Sequence, residues 1–114
     1  MEKNGNLILD MTLDFSLKIV AYSEKLESVK KFVIAKQVLK AGTSIGANAR
    51  EAQNAESKFD FIHKMKISAK EGDETEYWLL ICKHSKNYPE CDYLINDLKS
   101  IQKVLNKIIS SSKR

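Results

Sequence analysis

The chain has 114 residues, of which 43% are hydrophobic and 30% charged, and its formal net charge is +4. This size and composition predict one globular domain over residues 1–114 with a modest apolar core. No segment approaches the ~20 apolar residues of a membrane-spanning helix, and the start of the chain lacks an apolar signal region, so we expect a cytoplasmic protein without membrane contact.

Residue types that carry chemistry are few. Cys82 and Cys91 lie nine residues apart, and together with His63 and His84 they do not form a zinc-binding spacing. In the cytoplasm both thiols are expected to be reduced. The sequence contains neither a glycine-rich phosphate loop nor a nucleophile with an evident base. We therefore predict no metal, no cofactor and no catalytic residue, which means that the protein is not expected to be an enzyme.

The first half of the chain contains two helical patterns. The first runs from about Leu7 to Leu26, and its apolar face consists of Ile8, Met11, Phe15, Ile19, Tyr22 and Leu26. A short polar link leads to the second, from about Phe32 to Asn54, with an inner face of Ile34, Val38, Ala41, Ile45 and Ala52. One proline and four glycines leave these long helices almost uninterrupted.

The second half contains two more. Ser57 and Asp60 have the spacing of a capping box and predict a third helix from about Lys58 to Lys86. Pro89 suits a first helical turn, so the fourth helix is predicted from Glu90 to Ser110. Its inner face consists of Tyr93 or Leu94, Leu98, Ile101, Leu105 and Ile108. Four helices with short links predict an all-α, antiparallel up-down-up-down four-helix bundle.

Small and polar residues interrupt the apolar stripes of the two central helices. The stripe of the third helix is Phe61, Met65, Ala69, Gly72, Glu76 and Leu79. Small residues at core positions predict closely approaching helices with a few specific polar contacts. A buried carboxylate needs hydrogen-bond donors, so we predict a structural hydrogen bond between Asn48 and Glu76 that fixes the register of the two helices.

The same stretch resembles a bacterial family of four-helix bundles. The motifs that carry the resemblance are Ser44-Ile45-Gly46-Ala47-Asn48 with Arg50-Glu51-Ala52, and Ala69-Lys70-Glu71-Gly72-Asp73-Glu74-Thr75-Glu76-Tyr77-Trp78-Leu79. They are similar to those of the intervening-sequence proteins of large-subunit ribosomal RNA, a family that includes the accessory variability determinant of diversity-generating retroelements. Two residues depart from the family motifs. Ala49 stands where a larger aliphatic residue is usual, and Gly72 stands where Ala or Ser is usual. The resemblance implies a ring of five bundles, an association with ribosomal RNA and, for retroelement members, contact with a reverse transcriptase.

The first helix carries a second apolar stripe that one four-helix core does not require. Leu7, Leu9, Leu13, Leu17 and Val20 form this stripe. Surplus apolar faces on small helical proteins often mark subunit interfaces. The sequence therefore predicts a homo-oligomer, and the family resemblance implies that it is a pentamer.

Positive charge is concentrated at the end of the chain. Residues 98–114 hold five basic side chains and no acidic one, whereas the preceding 97 residues hold 14 basic and 15 acidic side chains. Lys99, Lys103 and Lys107 recur every four residues, which stacks them on one helix face over about 12 Å, and Lys113 and Arg114 follow. Such a row matches nucleic-acid phosphates. For a single subunit, the simpler interpretation is that these lysines form a solvated helix face. Repetition of the lysine row in an oligomer would favour binding to nucleic acid.

Two functions are compatible with this sequence. The first is a non-enzymatic oligomer that binds RNA or DNA through the phosphate backbone. The second is a protein–protein interaction scaffold, such as an accessory subunit of a reverse transcriptase, in which the lysines only increase solubility. A basic helix lying on a membrane is a weaker third hypothesis, because the fourth helix lacks a bulky aromatic apolar face.

Overall fold

Four α-helices form the fold of the described residues. In the computed structural model, which describes residues 6–114, α1 spans Leu7–Ser28, α2 Phe32–Ala52, α3 Lys58–His84 and α4 Asp92–Ser112. Each helix packs against two others in the closed order α1–α2–α3–α4–α1. Within the described residues, the backbones of α1 and α3 are not in contact, and neither are those of α2 and α4. Short links make consecutive helices antiparallel. The predicted up-down-up-down four-helix bundle is confirmed.

Side-chain caps mark the start of two helices. The Asn6 side chain accepts a hydrogen bond from the Leu9 amide at 3.5 Å, and the Ser57 hydroxyl accepts one from the Asp60 amide at 3.0 Å. Each cap satisfies an amide that has no partner within its helix. The predicted start of α3 at Lys58 is therefore confirmed together with its Ser57 cap.

The helix ends that precede the links lie about two residues from the predicted positions. Lys30 and Asn87 adopt a φ of 65° in the links after α1 and α3, a left-handed conformation that stops a helix from continuing. Pro89 lies in the link between α3 and α4 and not in the first turn of α4, because the N-cap of α4 is Cys91. The predicted ends of α2 and α3, at Asn54 and Lys86, are each two residues too late.

One apolar core runs through all four helices. Its largest fully buried side chains are Phe15, Ile19, Tyr22, Leu26, Val38, Ile45, Met65, Leu79, Leu94, Leu98, Ile101 and Leu105. Of the two candidates at the start of α4, Leu94 is the buried one, and Ile109 is buried at the other end of this helix where Ile108 was predicted. No helix in the part of the chain that the structure describes is long and apolar enough to cross a bilayer.

The inner face of α3 differs from the prediction at two positions, while Met65, Gly72 and Leu79 are buried as predicted. Ser68 and Thr75 are buried, whereas Ala69 and Glu76 are only half-buried. Both sets have helical spacing, and the hydroxyl set can be buried because each hydroxyl bonds a backbone carbonyl. Thr75 donates to the carbonyl of Glu71 at 2.7 Å, and Ser68 donates across the helix interface to that of Ile45, also at 2.7 Å.

Candidate nucleic-acid interface

The lysines of α4 form an outward-facing row. Lys99, Lys103 and Lys107 are all exposed, opposite the buried face of Leu98, Ile101 and Leu105. Four-residue spacing places their ammonium groups along about 12 Å of one helix. None of the three forms an ion pair within residues 6–114. Their positive charge is therefore available to an external anion.

Both acidic residues of α4 are paired with lysines of neighbouring helices. Asp97 accepts a hydrogen bond from the Lys18 ammonium of α1 at 2.8 Å, which raises the pKa of Lys18. Asp92 lies 3.1 Å from the Lys83 ammonium of α3. These exposed pairs add little stability, but they engage both α4 carboxylates with lysines of neighbouring helices, so neither carboxylate is paired with the lysine row.

The basic end of α4 lies beside the start of α3. Lys58 donates a hydrogen bond from its ammonium to the backbone carbonyl of Arg114 at 2.7 Å. Lys113 and Arg114 are both exposed at this end of the bundle. All five basic residues predicted as a nucleic-acid site thus lie on or at the end of one helix, and Lys58 of α3 is added to them.

The polar pair predicted to connect α2 and α3 does not meet. Asn48 donates its side-chain amide to the carbonyl of Ser44 in its own helix at 2.8 Å, and Glu76 accepts no hydrogen bond within residues 6–114. The Ser68 to Ile45 hydrogen bond fixes the antiparallel register and brings Met65 level with Asn48. Glu76 is eleven residues further along α3, or about 16 Å. The predicted hydrogen bond is wrong, and Ser68 supplies the polar contact between these helices.

A buried polar cluster joins α1 to the link between α3 and α4. The Tyr22 hydroxyl donates to the carbonyl of Pro89 at 2.7 Å, and the Cys91 thiol donates to the carbonyl of Leu79 at 3.3 Å. Burial raises the pKa of Tyr22 and of both thiols, Cys82 and Cys91. Neutral, buried thiols are poor nucleophiles, so this cluster is suited to a structural role.

Some of the surplus apolar surface of α1 remains exposed. Leu13, Leu17 and Val20 face solvent, as does Leu39 on the adjoining side of α2. We call these four residues the apolar seam. Leu9, predicted in the same stripe, is buried, and Leu7 is exposed near the start of α1. No group of three or more His, Cys, Asp or Glu side chains able to hold a metal occurs in residues 6–114.

Comparison with known proteins places the chain in a family. A family model described as 23S rRNA-intervening sequence protein matches residues 6–107. This chain belongs to the 23S rRNA-intervening sequence protein family. The match covers all four helices except the last turn of α4, so the family resemblance read from the α2 and α3 motifs is confirmed.

One solved structure supports the same assignment. A crystal structure at 1.70 Å resolution, of a protein of unknown function from the S23 ribosomal protein family of Bacteroides thetaiotaomicron, is 42% identical to this family member and gives a TM-score of 0.85. The similarity covers 90% of this chain and 97% of that one. No curated protein matches the sequence. Family and fold are therefore shown for this intervening-sequence protein.

Sequence reasoning missed three polar contacts that organise the bundle of this family member. They are made by Ser68 to α2, by Tyr22 to the α3–α4 link, and by Gln102, whose side-chain amide donates to the carbonyl of Ala69 at 3.1 Å. Ser68 and Gln102 are polar residues at helical spacing from buried ones, which was a usable signal. Their partners are backbone carbonyls, which a sequence pattern does not identify.

Proposed function

We propose that this protein is a non-enzymatic homo-oligomer that binds RNA or DNA through contacts to the phosphate backbone. The observation that carries the proposal is the row of Lys99, Lys103 and Lys107, exposed and without ion-pair partners in residues 6–114. Phosphate contacts by lysine release counterions and confer affinity without base recognition. The family is named for 23S rRNA, which favours RNA as the ligand.

Assembly is the second part of the proposal. The apolar seam exposes Leu13, Leu17, Val20 and Leu39 on the α1–α2 side of the bundle. In the closed helix order, this side is opposite the α3–α4 side that carries the lysine row. Subunits that meet through the seam would leave every lysine row open, and repetition of the row turns weak contacts into useful affinity. Five copies, the number implied by the family resemblance, are the assembly that we propose.

The test replaces the lysine row. The triple variant Lys99→Ala, Lys103→Ala, Lys107→Ala should weaken binding to RNA, because each substitution removes one ammonium group that would neutralise a phosphate. The slope of log affinity against log salt should become shallower by about 3, roughly one for each lysine replaced. Binding is measured by fluorescence anisotropy over a salt series that starts at about 50 mM.

A matched control separates the lysine row from total charge. The variant Lys36→Ala, Lys40→Ala, Lys86→Ala removes the same charge from exposed positions outside α4 and should bind more tightly than the row variant. Equal weakening by the two variants, or no binding of the wild type at the lowest salt, would contradict the proposal.

A protein–protein scaffold, including an accessory subunit of a reverse transcriptase, is the alternative function. The exposed side chains of the apolar seam favour it, because such a patch also suits a protein partner. Co-purification from the native host with and without nuclease distinguishes the two functions. Partners that disappear after nuclease treatment support nucleic-acid binding, and partners that remain support the scaffold.

A further inference from the structure

An exposed stripe of basic and aromatic residues lies on α3 beside the lysine row of α4. Phe59, His63, Lys66, Lys70 and Tyr77 follow one another at spacings of four, three, four and seven residues, so they share one face of α3. All five are exposed, with Phe59 at 82% and Tyr77 at 61% of their full accessibility. The outer face of α3 therefore carries two lysines between two exposed aromatic rings.

The register of α3 and α4 places Lys66 and Lys70 of α3 beside the lysine row of α4. Lys58 meets Arg114 at one end of this interface, and Gln102 contacts Ala69 nearer the middle. With the helices antiparallel, Lys70 is level with Gln102 and Lys66 with Asn106. Packed helices lie about 8–10 Å apart, so the lysines of α3 and α4 form one surface. We call Lys66, Lys70, Lys99, Lys103 and Lys107 the basic face.

Phe59 lies at the end of the basic face that the tail of α4 enriches in positive charge. Its neighbour Lys58 bonds the carbonyl of Arg114, and Lys113, the C-cap of α4, is exposed. The core does not use the Phe59 ring, since Phe61, Ile62 and Met65 are the residues of this segment that pack inward. Glu56 and Asp60 also flank this ring, but Lys58, Lys113 and Arg114 outnumber them. An exposed aromatic ring with an excess of cations around it provides a flat surface for stacking where phosphates are attracted.

We propose that the basic face selects single-stranded over double-stranded nucleic acid by stacking an unpaired base on Phe59. The proposal rests on the proposed function, because the lysines must first bind the phosphate backbone. Bases in a duplex are already stacked on one another, so a duplex reaches only the lysines, whereas a single strand can also stack a base on the ring. Loops and single-stranded segments of RNA are the class of ligand that fits this surface.

Tyr77 provides an internal control. It shares the stripe and is similarly exposed, but acidic residues surround it. Asp73 accepts a hydrogen bond from the side-chain amide of Gln102 at 3.1 Å, and Glu74 accepts one from the Trp78 indole at 3.3 Å. Their negative charge repels phosphate near this ring, so Tyr77 is not expected to stack a base.

The experiment compares an unstructured oligouridylate with an RNA duplex of the same length. Phe59→Ala should weaken binding of the oligouridylate by about 5- to 150-fold, the range expected when one base–aromatic stack is removed. It should leave duplex affinity unchanged. Tyr77→Ala should change neither affinity, and the Lys99, Lys103, Lys107 triple alanine variant should weaken both. Phe59→Tyr keeps a stacking ring and should retain oligouridylate affinity, whereas Phe59→Leu should lose it.

The outcomes separate this proposal from the one on which it rests. If the wild type binds neither RNA, both proposals are wrong. If the lysine variant weakens binding but Phe59→Ala has no effect, or lowers oligouridylate and duplex affinity equally, selection by Phe59 is wrong and backbone binding stands. Light scattering on Phe59→Ala serves as the assembly control, because a change in subunit number would make Phe59 an interface residue and would overturn the proposal.

Discussion

At the scale of single residues, the cluster of Tyr22, Cys82 and Cys91 shows why the two cysteines belong to the architecture. Cys91 is the N-cap of α4, and its thiol bonds a carbonyl of α3. Tyr22 bonds the link between these helices at Pro89. One buried group of side chains thus connects α1, α3 and α4. The chemistry of a nucleophile requires a thiolate, and burial opposes that form here.

The alkaline pH dependence of stability tests this interpretation. Because burial raises the pKa of both thiols, native protein keeps protons that the unfolded chain releases above the ordinary thiol pKa of about 8.5. The stabilisation is fully present below that pH and is lost as the pH rises towards the native pKa values. We expect the free energy of unfolding, measured with urea, to fall from pH 8 to about pH 10. The double variant Cys82→Ala, Cys91→Ala should have a flatter profile, and identical profiles would disprove the assignment.

At the scale of helices, the sequence predicted what periodicity encodes and missed what depends on partners. The inner face of α1 and the cap of α3 at Ser57 follow from spacing and hydrogen-bonding chemistry, and both are found. The face of α3 is ambiguous because Ala69 and Glu76 have the same helical spacing as Ser68 and Thr75. Only the position of α2 decides between the two sets, since Ser68 needs the carbonyl of Ile45.

The candidate nucleic-acid site was likewise predictable within one helix but not between helices. Four-residue spacing was enough to place Lys99, Lys103 and Lys107 on one face of α4. The addition of Lys66 and Lys70 from α3 depends on the register between the helices, which the hydrogen bond from Gln102 to Ala69 fixes. That register follows from tertiary packing, so the extent of the basic face was not predictable from either helix alone.

Two helical glycines are predicted to respond differently to alanine. A Cβ atom on Gly42 would lie 2.8 Å from Cγ1 and Cγ2 of the fully buried Ile19. Overpacking of this kind costs about 1–3 kcal/mol, against a favourable change of about 1 kcal/mol in helix propensity. We therefore expect Gly42→Ala to lower the free energy of unfolding by up to about 2 kcal/mol, as measured by urea denaturation.

Gly72→Ala is the matched comparison. There the new Cβ would overlap the side-chain amide of Gln102, which is the far end of a flexible side chain. Gln102 can turn away, and the improved helix propensity partly offsets the loss of its hydrogen bonds to Ala69 and Asp73. The exposed bond to Asp73 adds little, so the loss of the bond to Ala69 dominates and the variant should lose at most about 1 kcal/mol relative to the wild type. A greater loss of stability for Gly72→Ala than for Gly42→Ala would contradict both assignments.

At the scale of the whole molecule, apolar and basic surfaces lie on opposite sides. The closed helix order α1–α2–α3–α4 places the apolar seam across the bundle from the basic face. Contact between subunits through one side is therefore compatible with nucleic-acid binding through the other. The apolar stripe of α1 and the lysine row of α4 could be anticipated from residue spacing within single helices, and the helix order separates them in space.

A charge within the apolar seam tests whether the two sides cooperate. Leu17 is 55% exposed in the single bundle, so Leu17→Glu leaves the core of each subunit intact. In an assembled protein the new carboxylate would be buried against apolar side chains without a partner, which is costly. We expect light scattering to shift from the oligomer to the 13.0 kDa subunit, while circular dichroism remains that of the wild type.

Val33→Glu is the control for this change, because Val33 is 81% exposed at the start of α2, away from the apolar seam. It should keep the subunit number of the wild type. Leu17→Glu should also weaken RNA binding although its lysines are untouched, since a single row loses the advantage of repetition. If Leu17→Glu leaves the mass unchanged, the seam is not the subunit interface. If it produces a monomer that binds RNA as tightly as the wild type, binding does not depend on assembly, and one basic face is sufficient.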